Sequence, residues 1–329
     1  MSPPAAPPLD LPALIKEIGR GARGARDLSR AQAAALFGAM LDGEVDELRL
    51  GAIVLALRVK GESVDELLGF HDAMQARVQR LQHAQRVVLL PTLNGARKLL
   101  NLMPLLALHL AQQGVPVLVH GRNDFGAARG DTFALVAALG HPRCNTLAEA
   151  QERLNAQNLA VLPTALLCPG LDRLMALRPR LGLRNSAHTM AKLLDPFHGH
   201  SVRVAAVTHG DFLDALASVL PQLDGPSLLL KGCEGEAYPH PRRQASLQAF
   251  VGGEAVALVL GDVEDAALWE TQGEASAEAQ KLLGHLSHGA AAWPTRLAEM
   301  VVALGRLASM AGKWLGPDRS TTEVAKGKT

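Results

Sequence analysis

Aromatic side chains are scarce in this 329-residue chain: one tyrosine, three tryptophans and seven phenylalanines, 3% of the sequence. That argues against a nucleic-acid module that stacks successive bases on exposed rings. Cysteine is scarce as well. Cys144, Cys168 and Cys233 are odd in number and widely spaced, which points to reduced thiols rather than a disulfide framework or zinc site. Charge of one sign is not in excess, since 33 basic residues face 32 acidic ones. Any polyanion partner would therefore have to be met by a local patch. Apolar runs such as Val115–Val119 are too short to span a bilayer. The Pro/Ala-rich start has no basic segment followed by an apolar one, so it reads as a loose arm. No Ser or Cys sits in a nucleophile elbow. His285 and His288, three apart, have no nearby acid to complete a metal site.

What is present is a Leu/Ala/Val core pattern that changes character along the chain. Up to about Leu81 the apolar residues recur at helical spacing. Ser29/Gln32 and Ser63/Glu66 have the form of capping boxes. Beyond Arg86, short apolar runs alternate with helical stretches. Val87–Leu90, Val115–Val119, Leu159–Leu162, Val202–Val207, Ser227–Leu230 and Val256–Leu260 read as strands. Helices are expected over about Arg97–Gln112, Thr132–Leu139 and Asp211–Leu220. This alternation indicates βα units on a mostly parallel sheet. Gly170–Leu194 reads as helical with an interruption at Pro179. The acid-rich Glu254–Glu278 segment reads as a solvated edge strand and helix.

Two basic clusters stand out. Lys16, Arg20, Arg23, Arg26 and Arg30 would share one face of a continuous helix, a ridge suited to phosphates, although Gly19, Gly21 and Gly24 could make a turn there instead. Arg178, Arg180, Arg184 and Lys192 form the second cluster. Arg184 can equally be a buried structural arginine at the domain junction. Residues 1–86 carry 11 basic and 11 acidic side chains, so a positive surface there would have to be one-sided.

Three segments resemble the superfamily of anthranilate phosphoribosyltransferase and pyrimidine nucleoside phosphorylase (glycosyltransferase family 3). They are Leu28 through Gly69, Val119-His-Gly-Arg-Asn123 and Leu181-Gly-Leu-Arg-Asn through Pro196. The nearest form is the YbiB-like branch. The resemblance implies an α/β fold with a smaller helical domain. Residues 11–82 plus 170–196 would form the helical domain, which dimerises and carries the basic surface. Residues 83–169 plus 197–317 would form the α/β domain, between a flexible arm (1–10) and a loose tail (318–329).

The departures from the enzymes are specific. Their Gly-Thr-Gly-Gly-Asp phosphate loop corresponds to Pro91-Thr92-Leu93-Asn94-Gly95. Their Asp-Glu metal pair falls on Ala237 and Tyr238, leaving Glu234 and Glu236 as weak metal candidates. A lysine of their Lys-His-Gly element is Val119, and an asparagine is His188. Pro91, Thr92, Asn94, Gly95, His120, Gly121, Arg122, Asn123, Arg184 and His188 would line a degenerate substrate cleft. The reading is then a homodimer that binds single- or double-stranded DNA or RNA without sequence preference, through Lys16, Arg20, Arg23, Arg26, Arg30, Arg178, Arg180 and Lys192. It would need no cofactor and act in the cytoplasm, at the nucleoid if DNA is the partner. The lost groups argue against catalysis. The alternative is a phosphoribosyltransferase or nucleoside-handling enzyme with an altered site, for which Mg²⁺ would be the cofactor.

Overall fold

In the computed structural model the described residues are 9–21, 23–123, 129–240, 246–259, 269–271, 275–287 and 294–310. Four helices come first: α1 (Leu11–Ile18), α2 (Arg30–Asp42), α3 (Glu47–Lys60) and α4 (Val64–Gln75). Both capping boxes form. Ser29 and Ser63 cap α2 and α4 by accepting from the N3 amides, and Gln32 and Glu66 reach back to the cap amides. α2 and α4 pack together through stacked Phe37 and Phe70, with ring centroids 4.7 Å apart.

Then come β1 (Val87–Thr92), α5 (Met103–Gln112), β2 (Val117–Gly121), α6 (Thr132–Ala138), α7 (Leu147–Gln157) and β3 (Leu159–Pro163). Four short helices follow: α8 (Thr164–Leu167), α9 (Pro169–Met175), α10 (Arg178–Leu181) and α11 (Ser186–Met190). The chain continues as β4 (Ser201–Val207), α12 (Gly210–Val219), β5 (Ser227–Cys233), β6 (Glu236–Pro239), β7 (Ser246–Val251), β8 (Glu254–Val259), α13 (Ala275–Ser287) and α14 (Thr295–Ser309).

The sheet runs β3-β2-β1-β4-β5-β7-β8, with β6 paired to β5. From β3 to β5 it is parallel, and β7 and β8 add an antiparallel edge. The parallel strands are apolar and buried on both faces, as strands covered by helices must be. One core cluster joins α1–α4 and α9–α11 to one sheet face through residues such as Leu36, Ile53, Leu118 and Leu162. The other packs α5, α13 and α14 on the opposite face through Leu105, Met300 and Leu304. Across the first core, Asp195 and Arg203 form a buried ion pair at 2.8 Å.

Strand order reverses beside β1: β2 lies on one side and β4 on the other. In open α/β sheets a crevice opens at such a switch, beyond the carboxyl ends of the strands.

Three local expectations need correction. The basic segment 16–30 is not one helix. α1 stops at Ile18, Gly19 and Gly21 leave helical geometry (φ −100° and +79°), and Arg23 lies in a turn. The helix expected from Arg97 begins at Met103, because the amides of residues 97–99 are turned toward a carboxylate. Gly170–Leu194 is broken into α9, α10 and α11, with Pro179 at the start of α10. His288, most of the expected arm (residues 1–8) and the expected tail (318–329) lie outside the described residues.

Candidate functional site

The crevice at the β1/β4 switch holds a cavity of about 120 Å³. Arg58 and Glu62, at and after the end of α3, form one wall. Arg184, His188 and Lys192, around α11, form the second. Leu93, Asn94 and the β4–α12 turn (Thr208, His209, Phe212) complete it. Arg58, Arg184 and Lys192 thus turn three cationic side chains toward one cavity.

Each wall is held by its own chemistry. Arg58 lies over the Phe212 ring, 5.8 Å from its centroid. Arg184 donates to the Asn94 side chain, while Arg129 donates to the Asn94 carbonyl at 3.3 Å. The Lys192 ammonium donates to the Ala206 carbonyl. Burial, reinforced by the Arg184 charge, pushes its pKa down to about 8, against the opposing pull of Glu236. His188 is 6% exposed. Burial first, then the Arg184 charge, hold it neutral, with a pKa of about 3. Its Nδ1 accepts from the Asn185 amide at 3.4 Å and lies 3.3 Å from Asn185 Oδ1, an oxygen already taken by the Ala187 amide. This leaves the ring hydrogen on Nε2, which has no partner among the described residues. Burial also raises the carboxyl of Glu62, which accepts from Ser186 Oγ at 2.5 Å.

The loop after β1 has a different occupant. The amides of Leu93, Asn94 and Gly95 converge on Glu236 Oε1 at 3.1, 2.7 and 3.0 Å. Glu236 is fully buried. The amides of Arg97, Lys98 and Leu99 converge in the same way on Glu234, at 2.7, 2.8 and 3.2 Å. Each set is a backbone nest of the kind that cradles phosphate, here filled by the chain's own carboxylate. Glu234 lies in the β5–β6 turn and Glu236 starts β6. Gly235 between them adopts φ +91°, and a Cβ there would collide with Asn94 Nδ2. The metal expectation therefore does not fit. Glu234 and Glu236 are committed to amides, and among the described residues no group of three or more His, Cys, Asp or Glu could hold an ion.

The other expected cleft residues divide. Pro91 and Thr92 end β1, and Thr92 Oγ1 meets Thr132 Oγ1 at 2.7 Å. His120 and Gly121 are buried in β2, paired with those two residues. His120 has no partner for either ring nitrogen among the described residues, and burial takes its pKa down to about 4. A Cβ on Gly121 would collide with the Thr92 carbonyl, so glycine is required there. Arg122 pairs with Asp172 at 2.6 Å and Asn123 donates to Asp131 at 2.6 Å. These six belong to the ends of β1 and β2 without lining the cavity, whereas Asn94, Arg184 and His188 do line it.

The basic surface is not brought together as expected. Lys192 is a cleft residue, not a surface one. Arg30 is held bidentate by Asp72 (2.6 and 2.8 Å), and Arg180 by Glu47 (3.1 and 3.0 Å). Arg20 and Arg26 share Glu17 at 3.0 and 3.9 Å. Arg178 is half-buried at the start of α10. Lys16 and Arg23 are exposed, with no carboxylate within bonding distance among the described residues. Arg58, Glu62, Thr208 and His209 were missed. The position of the last two, directly after a parallel strand, is the signal that could have found them.

Residues 12–78 match the family model described as the helical bundle domain of a glycosyl transferase family. The uncharacterized protein YbiB of Escherichia coli is 40% identical over 239 residues, 71% of this chain and 74% of that protein. The chain belongs to the YbiB-like, anthranilate phosphoribosyltransferase-related family. Anthranilate phosphoribosyltransferase of Methylobacterium radiotolerans is 32% identical over 198 residues, which is 60% of this chain and 56% of that enzyme. The fold is that of anthranilate phosphoribosyltransferase from Thermus thermophilus: TM-score 0.71, 23% identity, 90% of this chain against 88% of that one. The expectation of a non-enzymatic protein is thereby corrected, because the similarity in sequence and fold is to a family of enzymes. Among the described residues no helix is long and apolar enough to cross a membrane.

Proposed function

We propose that this chain is a nucleoside-handling glycosyl-transfer enzyme whose cleft engages one small anion, rather than an anthranilate phosphoribosyltransferase. The observation that carries the reading is the convergence of Arg184, Lys192 and the unpartnered Nε2–H of His188 on one cavity at the sheet's switch point. The filled nests and the poor metal fit favour nucleoside chemistry over transfer from a metal-bound diphosphate.

In phosphorolysis a phosphate oxygen bonds to the ribose anomeric carbon as the carbon–nitrogen bond breaks. The electron pair leaves on the base, which takes up a proton. Arg184 and Lys192 hold the phosphate and stabilise its charge as it moves to carbon. His188 Nε2–H donates to it. Glu62, with its carboxyl raised by burial and facing the same space, holds the proton for the leaving base. The test is incubation of the full chain with a nucleoside panel and orthophosphate, reading free base by chromatography. Phosphate-dependent release is expected, falling roughly 100-fold in Arg184→Ala, the usual cost of losing one charge-stabilising donor. No base release from any nucleoside, or instead diphosphate release from phosphoribosyl diphosphate with Mg²⁺ and an acceptor, overturns the reading.

A second reading concerns partners. Lys16 and Arg23 are exposed on either side of the end of α1, and Arg20 and Arg26 share one acid, Glu17, which supports weak, salt-sensitive contact with nucleic-acid phosphates. Leu48, Leu55 and Val59 are 84%, 52% and 67% exposed along one face of α3, and a second copy of the chain would cover them.

A further inference from the structure

Glu236 is the feature that the proposed reaction leaves unexplained. Three consecutive amides converging on one oxygen make an anion cradle, and a fully buried carboxylate is an expensive way to fill it. The hydrogen bonds are charge-assisted, and the carboxylate is tethered to the same fold. An external anion must therefore compete with a tethered intramolecular carboxylate. Lys192 lies close enough to Glu236 for that charge to support its ammonium. Leu93 and Asn94, which give two of the three amides, also line the cavity.

From this arrangement we propose that Glu236 is a specificity-determining residue. Its carboxylate occupies the place a second phosphoryl group would take, so the cleft accepts ligands with one small anionic group and rejects diphosphates. The cations that line the cavity, Arg58, Arg184 and Lys192, bind the single anion. Removing the carboxylate frees three donors beside them, and a diphosphate can then span cavity and cradle. Glu234 fills its own nest at residues 97–99, none of which lines the cavity, so it does not take part in this selection.

The proposal rests on the cleft being the ligand site, as in the function proposed above. Its test uses inorganic anions and no substrate, so the two can fail separately. Orthophosphate and inorganic diphosphate are titrated by calorimetry into the full-length wild type, Glu236→Ala, Glu236→Gln and Glu234→Ala, with folding checked by circular dichroism. Wild type is expected to bind orthophosphate at least tenfold more tightly than diphosphate. Glu236→Ala gains at least tenfold in diphosphate affinity, while its orthophosphate affinity moves less than threefold. Glu236→Gln, which keeps the acceptor oxygen but not the charge, falls between them. Glu234→Ala behaves as wild type. If the alanine variant does not fold, the glutamine variant and the wild-type preference carry the test. Diphosphate binding to wild type as tight as orthophosphate overturns the proposal, and so does a folded Glu236 variant that gains nothing. An equal gain in Glu234→Ala overturns it too. Orthophosphate binding without base release from any nucleoside would remove the proposed reaction and leave the role of Glu236 standing.

Discussion

At the residue scale, the buried cations and imidazoles make the molecule sensitive to pH in two separate windows. Lys192 has a folded pKa of about 8, below its ordinary 10.5. Between those values the unfolded chain holds a proton that the folded one has released, so stability rises with pH there. Anion binding runs the other way, since the ammonium is lost as pH climbs through about 8. Orthophosphate affinity should therefore drop between about pH 7 and pH 9, and Lys192→Met should remove the step and weaken binding at neutral pH. A titration series by calorimetry checks both. The second window is acidic. Burial holds His71 and His120 at about 4 and His188 at about 3, against 6.5 in the unfolded chain. Their contribution is complete above about pH 6.5 and is lost as pH falls toward those folded values. At ~1.4 kcal/mol per pH unit the maximum is on the order of 3 kcal/mol for His71 and His120 and on the order of 5 kcal/mol for His188. Urea melts at about pH 7, 6 and 5 should show falling stability, and His120→Leu should flatten the slope.

At the element scale, the β5–β6 turn places both carboxylates in their nests, and its geometry leaves no room at Gly235. Gly235→Ala adds a methyl against Asn94 in a left-handed backbone, a change that costs ~1–3 kcal/mol. The melting temperature should fall by several degrees, and amide exchange at Leu93, Asn94 and Gly95 should quicken. The exposed stripe on α3 makes its own prediction. If a second copy covers it, Leu55→Glu should convert a dimer to a monomer in light scattering and leave the circular dichroism unchanged. Elements whose signal is local were legible in the sequence. The capping boxes of α2 and α4 and the apolar runs of β1, β2, β3, β4 and β5 are examples. For segment 16–30 the sequence offers both a helix and a turn at its three glycines, and the chain takes the turn, with α1 ending at Ile18 and Gly21 at φ +79°. The start of α5 was misplaced because residues 97–99 satisfy their amides with Glu234, 135 residues or more away. Nothing near them in sequence announces that partner.

At the scale of the whole molecule, the architecture was readable from the alternation of strand and helix together with the family's segments, whereas the site was legible only in part. Asn94, Arg184 and His188 were found by their place in those segments. From sequence alone, the charge of Lys192 points to the outer surface. Its burial depends on the Ala206 carbonyl across the crevice, which only the fold brings near. The loss of the glycine-rich loop was visible, but its physical outcome was not. Three consecutive amides of this loop still form a nest, and the carboxylate that fills it is Glu236, more than 140 residues along the chain.

The crevice also has a mechanical consequence. Its walls belong to segments around Glu62, Asn94, His188 and His209, two of them from the helix-rich layer and two from strand ends. A guest gripped by all four would act as a clasp between the layers, adding to the polar links that Arg184 and Lys192 already make across them. Filling the space should damp their breathing, and the slowest-exchanging amides would then extend from the sheet into α3 and α11.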